Sequence, residues 1–168
     1  MMKKTWIFTY FLLLGFFTTS YGQIRSGAYR AVLKTLYKND VPLISCEEAN
    51  KLKSALFLDT RAYPEFNVSH IAQAHWVGYE EFSLEKVKDI DKGTPLVVYC
   101  SVGVRSEKIG RKLLEAGFKN VQNLYGSLFE WVNQGYPIVD MNGQPTLKVH
   151  AYSPAWGVWL NKGEKVYE

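Results

Sequence analysis

Cysteine and histidine are scarce in this chain. Two cysteines and three histidines are spread over 168 residues, which excludes a disulfide framework and a four-cysteine zinc site. His75 and His150 are too dispersed to suggest a metal centre. An excess of one charge is also missing. The formal net charge is only +4, and the basic residues are scattered, so there is no electrostatic footprint for a nucleic acid. No internal repeat or low-complexity linker interrupts the sequence. What remains, 47% hydrophobic and 21% charged residues, is the composition of a globular chain rather than a disordered or collagen-like one. The length suits one domain of ordinary size, able to bury roughly 70% of its unfolded surface.

No apolar run reaches the roughly 20 residues of a spanning helix. The nearest is Trp6 to Phe17, preceded by Lys3 and Lys4 and followed by the small residues Ser20-Tyr21-Gly22. This is the layout of a secretory signal peptide cleaved after Gly22. The competing reading is a retained N-terminal anchor; no cysteine follows the apolar run, which argues against a lipoprotein anchor. Cleavage removes two lysines and no acid, taking the net charge from +4 to +2. The mature chain is expected to be exported, into a bacterial periplasm, with no stable membrane association after cleavage.

Downstream, strand and helix signals alternate. Ala28–Tyr37 carries apolar residues at helical spacing. Pro42–Ile44 reads as a short strand, and Ser45 or Cys46 opens a helix whose first turn is acidic. Ala55–Leu58 is a strand ending at Asp59, Tyr63–Phe66 a helical turn, Ala74–Val77 a strand and Phe82–Ile90 a helix. Pro95–Tyr99, a continuous β-branched run, reads as a central parallel strand. Ser106–Ala116 is a helix closed by Gly117 and Phe118, Val121–Leu124 a strand, and Leu128–Gln134 a helix stopped by Gly135. Alternation of this kind implies an α/β fold with a mostly parallel sheet.

The strand PLVVY delivers Cys100 to the carboxyl edge of that sheet, where open α/β sheets bind ligands. Ser101-Val102-Gly103-Val104-Arg105-Ser106 then leads into a helix. A strand-to-helix loop can turn several N–H groups inward as an anion nest, and the helix start adds partial positive charge, worth about 1 kcal/mol. Gly103 permits a backbone angle denied to other residues, and Arg105 brings a full charge. Together these features favour a Cys100 thiolate at neutral pH without a histidine base. A buried structural cysteine is the plain alternative for Cys100 by itself; the glycine and arginine at fixed spacing argue against it. Cys46 reads as a small, partly buried residue.

CSVGVRS, residues 100–106, resembles the active-site loop of the rhodanese-like sulfurtransferases, Cys-x-x-Gly-x-Arg-Ser. LDTRAYPEFNVSHIAQAHWV (58–77) and AGFKNVQNLYGSLFEWVNQGYPI (116–138) resemble the segments before and after that loop in the same family. The sequence departs at Ser101, often arginine in the family, at Ser69 and Gln73 in place of two glycines, and at Ser127 in place of the second glycine of a pair. The resemblance implies a rhodanese-like fold with helices on both faces of the sheet. It divides the chain into a signal peptide (1–22), an N-terminal helical segment (23–42), the rhodanese-like domain (43–139) and an aromatic C-terminal extension packed on it (140–168).

It also implies chemistry. Cys100 would carry sulfane sulfur as a persulfide, taking it from thiosulfate, a polysulfide or a persulfide and passing it to a thiol or cyanide. Ser101, Val102, Gly103, Val104, Arg105 and Ser106 would bind the substrate, with Asp59 and Arg61 supporting the site, and no metal or cofactor is implied. A carrier needs Cys100 free, so no Cys46–Cys100 bridge is expected. Arg61 and Glu65, four apart, are expected to pair as structural residues, and His70 to serve backbone carbonyls. The aromatic residues Tyr152, Trp156, Trp159 and Tyr167 are expected mainly in core packing, with the site mouth as the other option. Two other functions remain open. One is a cysteine phosphatase, although its Cys-x5-Arg loop is one residue longer than the Cys-x4-Arg found here. The other is a non-catalytic binding module that has kept the fold. The loop side chains between Cys100 and Arg105 are uncharged, which favours polarisable sulfur chains over the thiosulfate dianion.

Overall fold

The run Leu96–Tyr99 forms the middle strand of a five-stranded parallel sheet in the computed structural model, which describes residues 26–168. The signal-peptide and cleavage readings lie outside the described residues. In chain order the elements are α1 (Gly27–Leu36), β1 (Leu43–Ile44), α2 (Cys46–Lys51), β2 (Leu56–Asp59), α3 (Tyr63–Val68), β3 (His75–Trp76), β4 (Leu96–Tyr99), α4 (Val104–Glu115), β5 (Val121–Leu124), α5 (Ser127–Asn133), β6 (Lys148–His150), α6 (Pro154–Gly157) and β7 (Glu164–Val166). The sheet order is β1-β5-β4-β2-β3, and β6 and β7 form a separate parallel pair.

Every residue of β4 is buried, as expected of a strand covered on both faces. Val97 and Tyr99 point into a core built with Tyr29 and Leu33 of α1, Cys46 and Ala49 of α2, and Leu128, Phe129 and Trp131 of α5. Leu96 and Val98 point the other way, against Ile109 and Leu113 of α4. The first core also takes in Val149, Ala151 and Leu160, and the Trp159 ring stacks on Tyr29 with 5.3 Å between centroids. The N-terminal helix and the C-terminal extension therefore share their hydrophobic core with the central sheet.

Helix ends follow local chemistry. Ser45 and Glu48 close a reciprocal capping box on α2. At the end of α4 the Gly117 N–H bonds Leu114 O and the Phe118 N–H bonds Leu113 O, with Gly117 at φ 91°, which is a Schellman closure. Gly135 and Tyr136 end α5 in the same way. Phe82–Ile90 departs from expectation: only Leu84–Val87 is helical, as a 3₁₀ turn. The bonds there run from Lys86 to Ser83 and from Lys88 to Glu85. Within that turn Val87 alone is buried, and so short a segment cannot hold an α-helix by itself. Helix α4 begins at Val104, two residues earlier than the sequence pattern suggests, which draws the Cys100 loop tight.

Candidate active site

Cys100 follows directly on β4 and is 1% exposed. The loop after it is held by its carbonyl groups. Cys100 O accepts from the Leu128 N–H and Ser101 O from the Phe129 N–H, both 3.1 Å, at the start of α5. Val102 O accepts from the Tyr37 hydroxyl at 2.6 Å, and Gly103 O from the Asn123 amide at 3.0 Å and the Glu107 N–H at 3.1 Å. Four successive carbonyls are thus satisfied by other donors, and the N–H groups of Gly103 and Ser106 are left to serve the sulfur.

The Gly103 N–H reaches Cys100 Sγ at 3.0 Å, and the Ser106 hydroxyl lies 3.7 Å away. Gly103 sits at φ 108° as the N-cap of α4. A β-carbon there would run into the Tyr37 ring and hydroxyl, so glycine is required twice over, by angle and by space. Burial pushes the Cys100 thiol up. The Arg105 charge, the Ser106 and Gly103 N–H groups and the Ser106 hydroxyl outweigh it and hold the thiol below its ordinary range.

Arg105 brings its charge to the loop already paired. Its guanidinium makes a two-point contact with Glu65, 2.7 and 2.8 Å, and donates to Ser101 Oγ at 3.0 Å. Ser101 Oγ in turn donates to Glu65 at 3.0 Å. Burial pushes the Glu65 carboxyl up, but the hydrogen bonds and charge of Arg105, with the Arg61 charge and the Ala62 N–H, bring it below the usual range. The expected Arg61–Glu65 pair is not made. Arg61 turns instead to Asp59, at 2.7 Å, both side chains fully buried, and donates to Ser69 O at 2.6 Å. Asp59 and Arg61 therefore stand behind the site: they fix the end of α3, and α3 carries Glu65 to the loop.

The sequence assigns no site role to Tyr37, Asn123 or Ser127, yet all three hold the loop. Tyr37, the C-cap of α1, braces Val102 and accepts from the Gly126 N–H at 3.2 Å. The Ser106 hydroxyl lies 2.7 Å from Asn123 Oδ1. Ser127 accepts from the Cys100 N–H at 2.7 Å. Ser127 and Gln73, which replace family glycines, keep the left-handed backbone, at φ 58° and 63°. His70 lies with Nδ1 3.1 Å from Phe66 O. The tail contributes to the mouth as well as to the core. Tyr152 and Trp156 join Leu36, Ser101, Val102, Val104 and Arg105 around a pocket of about 190 Å³ that opens on Cys100. Both cysteines are free.

A model of the rhodanese-like domain family matches residues 45–134. Among curated relatives, the tRNA uridine(34) hydroxylase of Hamiltonella defensa subsp. Acyrthosiphon pisum is 34% identical over 98 residues, 53% of this chain and 27% of the relative. That of Sodalis glossinidius is 34% identical over 107 residues, 56% of this chain and 30% of the relative. The chain spans under a third of the length of these relatives. Among solved structures, a rhodanese-like domain from Anabaena sp. superposes with a TM-score of 0.56 at 22% identity, covering 60% of this chain and 80% of that one. The thiosulfate sulfurtransferase of Pseudomonas aeruginosa gives 0.57 at 24% identity, covering 69% of this chain and 23% of that one. At these identities the likeness is one of fold.

Proposed function

The chain belongs to the rhodanese-like domain family, and from that premise we propose that it is a sulfurtransferase moving sulfane sulfur through a persulfide on Cys100. The observation that carries this reading is the setting of the sulfur: buried at a strand end, 3.0 Å from the Gly103 N–H, and held toward its anionic form without a histidine base. The Cys100 thiolate attacks the sulfane sulfur of a donor, the donor's S–S bond breaks, and its electron pair leaves with the departing group. The terminal sulfur on Cys100 then carries the negative charge, which suits a nest of N–H groups. An acceptor thiolate or cyanide attacks that sulfur and returns the Cys100 thiolate.

The phosphatase reading fits less well. Phosphate recognition needs an arginine fork free to clasp two oxygens, and here both ends of the fork are engaged by Glu65. The curated relatives' hydroxylase activity belongs to much longer proteins and is not transferred.

Intact mass after incubation with polysulfide tests the proposal. A gain of one sulfur atom, removed by cyanide or dithiothreitol and lost in Cys100→Ser, is expected; no labile sulfur with any sulfane donor would leave a binding module. From the Lys3–Gly22 sequence pattern we also propose that the mature protein lies outside the cytoplasm. N-terminal sequencing of the exported form is expected to start at Gln23, and a start at Met1 would indicate a retained anchor.

A further inference from the structure

Three of the eight residues lining the pocket above Cys100 come from outside the family match, residues 45–134. Leu36 comes from α1, and Tyr152 and Trp156 from the extension after β6, while the matched region ends at residue 134. Val102 and Val104 complete an apolar wall. Its volume, about 190 Å³, equals the liquid volume of about six waters, enough for one small organic group.

Charge points the same way. Among the described residues, Arg105 is the only charged one lining the pocket, and its guanidinium is held by Glu65 and Ser101 and lies 5.0 Å from the Tyr152 ring centroid. With Glu65 ionised the pair is neutral, so a Cys100 thiolate leaves the site with one net negative charge. A dianion entering here meets repulsion. It cannot take the arginine fork without depriving the Glu65 carboxylate, whose side chain is 4% exposed, of its counter-charge.

We propose that this pocket receives the carbon group of a small apolar thiol and its persulfide, so that the site exchanges sulfur with an R–SH/R–S–SH couple in which R is an uncharged alkyl or aryl group. The proposal rests on the sulfurtransferase reading of Cys100. In loading, the thiolate attacks the outer sulfur of R–S–SH. The Sγ–S bond forms as the R–S–S bond breaks, and R–S takes the electron pair and the outer sulfur's proton and leaves as R–SH. No oxidant or reductant is consumed. In unloading, the same wall holds the attacking thiol.

The test has two arms on the full chain carrying Cys46→Ser. The first needs no sulfur transfer. The rate of Cys100 modification by benzyl methanethiosulfonate is compared with that by the anionic sulfonatoethyl reagent, each normalised to its rate with free 2-mercaptoethanol. The benzyl reagent is expected to be favoured about tenfold or more, equivalent to about 1.4 kcal/mol. The preference should persist at high salt, fall to about a third or less in Trp156→Ala, and survive in Trp156→Phe. Equal normalised rates, or a preference abolished by salt, would overturn the pocket assignment.

In the second arm the chain is loaded with polysulfide, and transfer to benzyl mercaptan, 2-mercaptoethanol and mercaptoacetate is timed at equal thiolate concentration. The expected order is benzyl mercaptan first and mercaptoacetate last; transfer to mercaptoacetate as fast as to benzyl mercaptan would overturn the proposal. If polysulfide leaves no sulfur on Cys100, the sulfurtransferase reading fails, and with it the proposed couple, whatever the first arm shows of the wall.

Discussion

Cys46 and Cys100 are equally hidden, each 1% exposed, and each lies one or two residues beyond the end of a parallel strand in the same sheet. Their thiols are nevertheless pushed in opposite directions. For Cys46, burial raises the thiol, the Glu130 charge raises it further, and a weak backbone contact offsets little. Its sulfur lies 3.8 Å from Tyr125 O, an acceptor that favours the protonated form. Around Cys100 the partners are donors: the Gly103 and Ser106 N–H groups and the Ser106 hydroxyl, with Arg105 adding charge. Burial alone thus says nothing about thiol chemistry. The sign of the groups aimed at the sulfur decides it.

The largest expected effect is the simplest break of that contrast. Cys100→Ser should reduce sulfur loading from polysulfide below detection, because a hydroxyl is a far weaker nucleophile at neutral pH. Cys46→Ser should keep most of it. Loading followed by intact mass on the two variants checks this, and the reverse pattern would assign the chemistry to the wrong thiol.

Next comes the loop itself. Gly103→Ala forces a β-carbon into Tyr37 and a non-glycine residue into φ 108°, a strain of about 1–3 kcal/mol. Loading should fall by about tenfold to a hundredfold if that strain is relieved by moving the N–H off the sulfur. Thermal melting alongside loading rate separates a loosened loop from an unfolded chain.

The loop was legible in the sequence because it is local. Strand, cysteine, glycine and arginine follow within ten residues, and the β-branched run before them marks a buried strand. The partners that give the loop its geometry come from far along the chain. Glu65 lies 40 residues before Arg105 and Tyr37 lies 65 before Val102, and no periodicity links such positions. Helix spacing pairs Glu65 with Arg61, but the end of β2 offers Arg61 the Asp59 carboxylate and the end of α3 offers it the Ser69 carbonyl. The sequence points to core packing for the aromatic tail, and Trp156 and Trp159 both pack against the core, but Trp156 also reaches the mouth with Tyr152, which spacing along the tail does not encode. From α1 to α5 the sequence pattern marks the strands and helices to within two residues, apart from Phe82–Ile90, whose helical stretch is too short to escape its surroundings, and it marks none of β6, α6 and β7.

A smaller effect sharpens the charge side of the comparison. Glu65 has a lowered carboxyl pKa in the folded chain. Its contribution to stability is therefore complete above the unfolded value of about 4.3 and is lost as pH falls through the lower folded value. Glu65→Gln should cost about 1–3 kcal/mol at neutral pH, because Arg105 loses its counter-charge. It should also flatten the acid limb of a stability–pH curve measured by denaturant unfolding. An unchanged acid limb would mean that the Glu65–Arg105 contact is not carrying charge.

The smallest effect belongs to Ser106. Its hydroxyl is 3.7 Å from the sulfur but 2.7 Å from Asn123 Oδ1, so it stabilises the thiolate only weakly. Ser106→Ala should raise the Cys100 thiol slightly and slow loading by about fivefold, equivalent to about 1 kcal/mol. The pH profile of loading should shift toward alkaline. A drop with no shift would point to loop packing instead.

The contrast between the two thiols is tested most directly by titrating ultraviolet thiolate absorbance in the folded Cys46→Ser and Cys100→Ser variants. Cys46→Ser, which keeps Cys100, is predicted to show a thiolate transition below the ordinary cysteine value of about 8.5. Cys100→Ser, which keeps Cys46, should show none until well above it. A Cys46 thiolate appearing at the same pH as that of Cys100, or before it, would contradict the account.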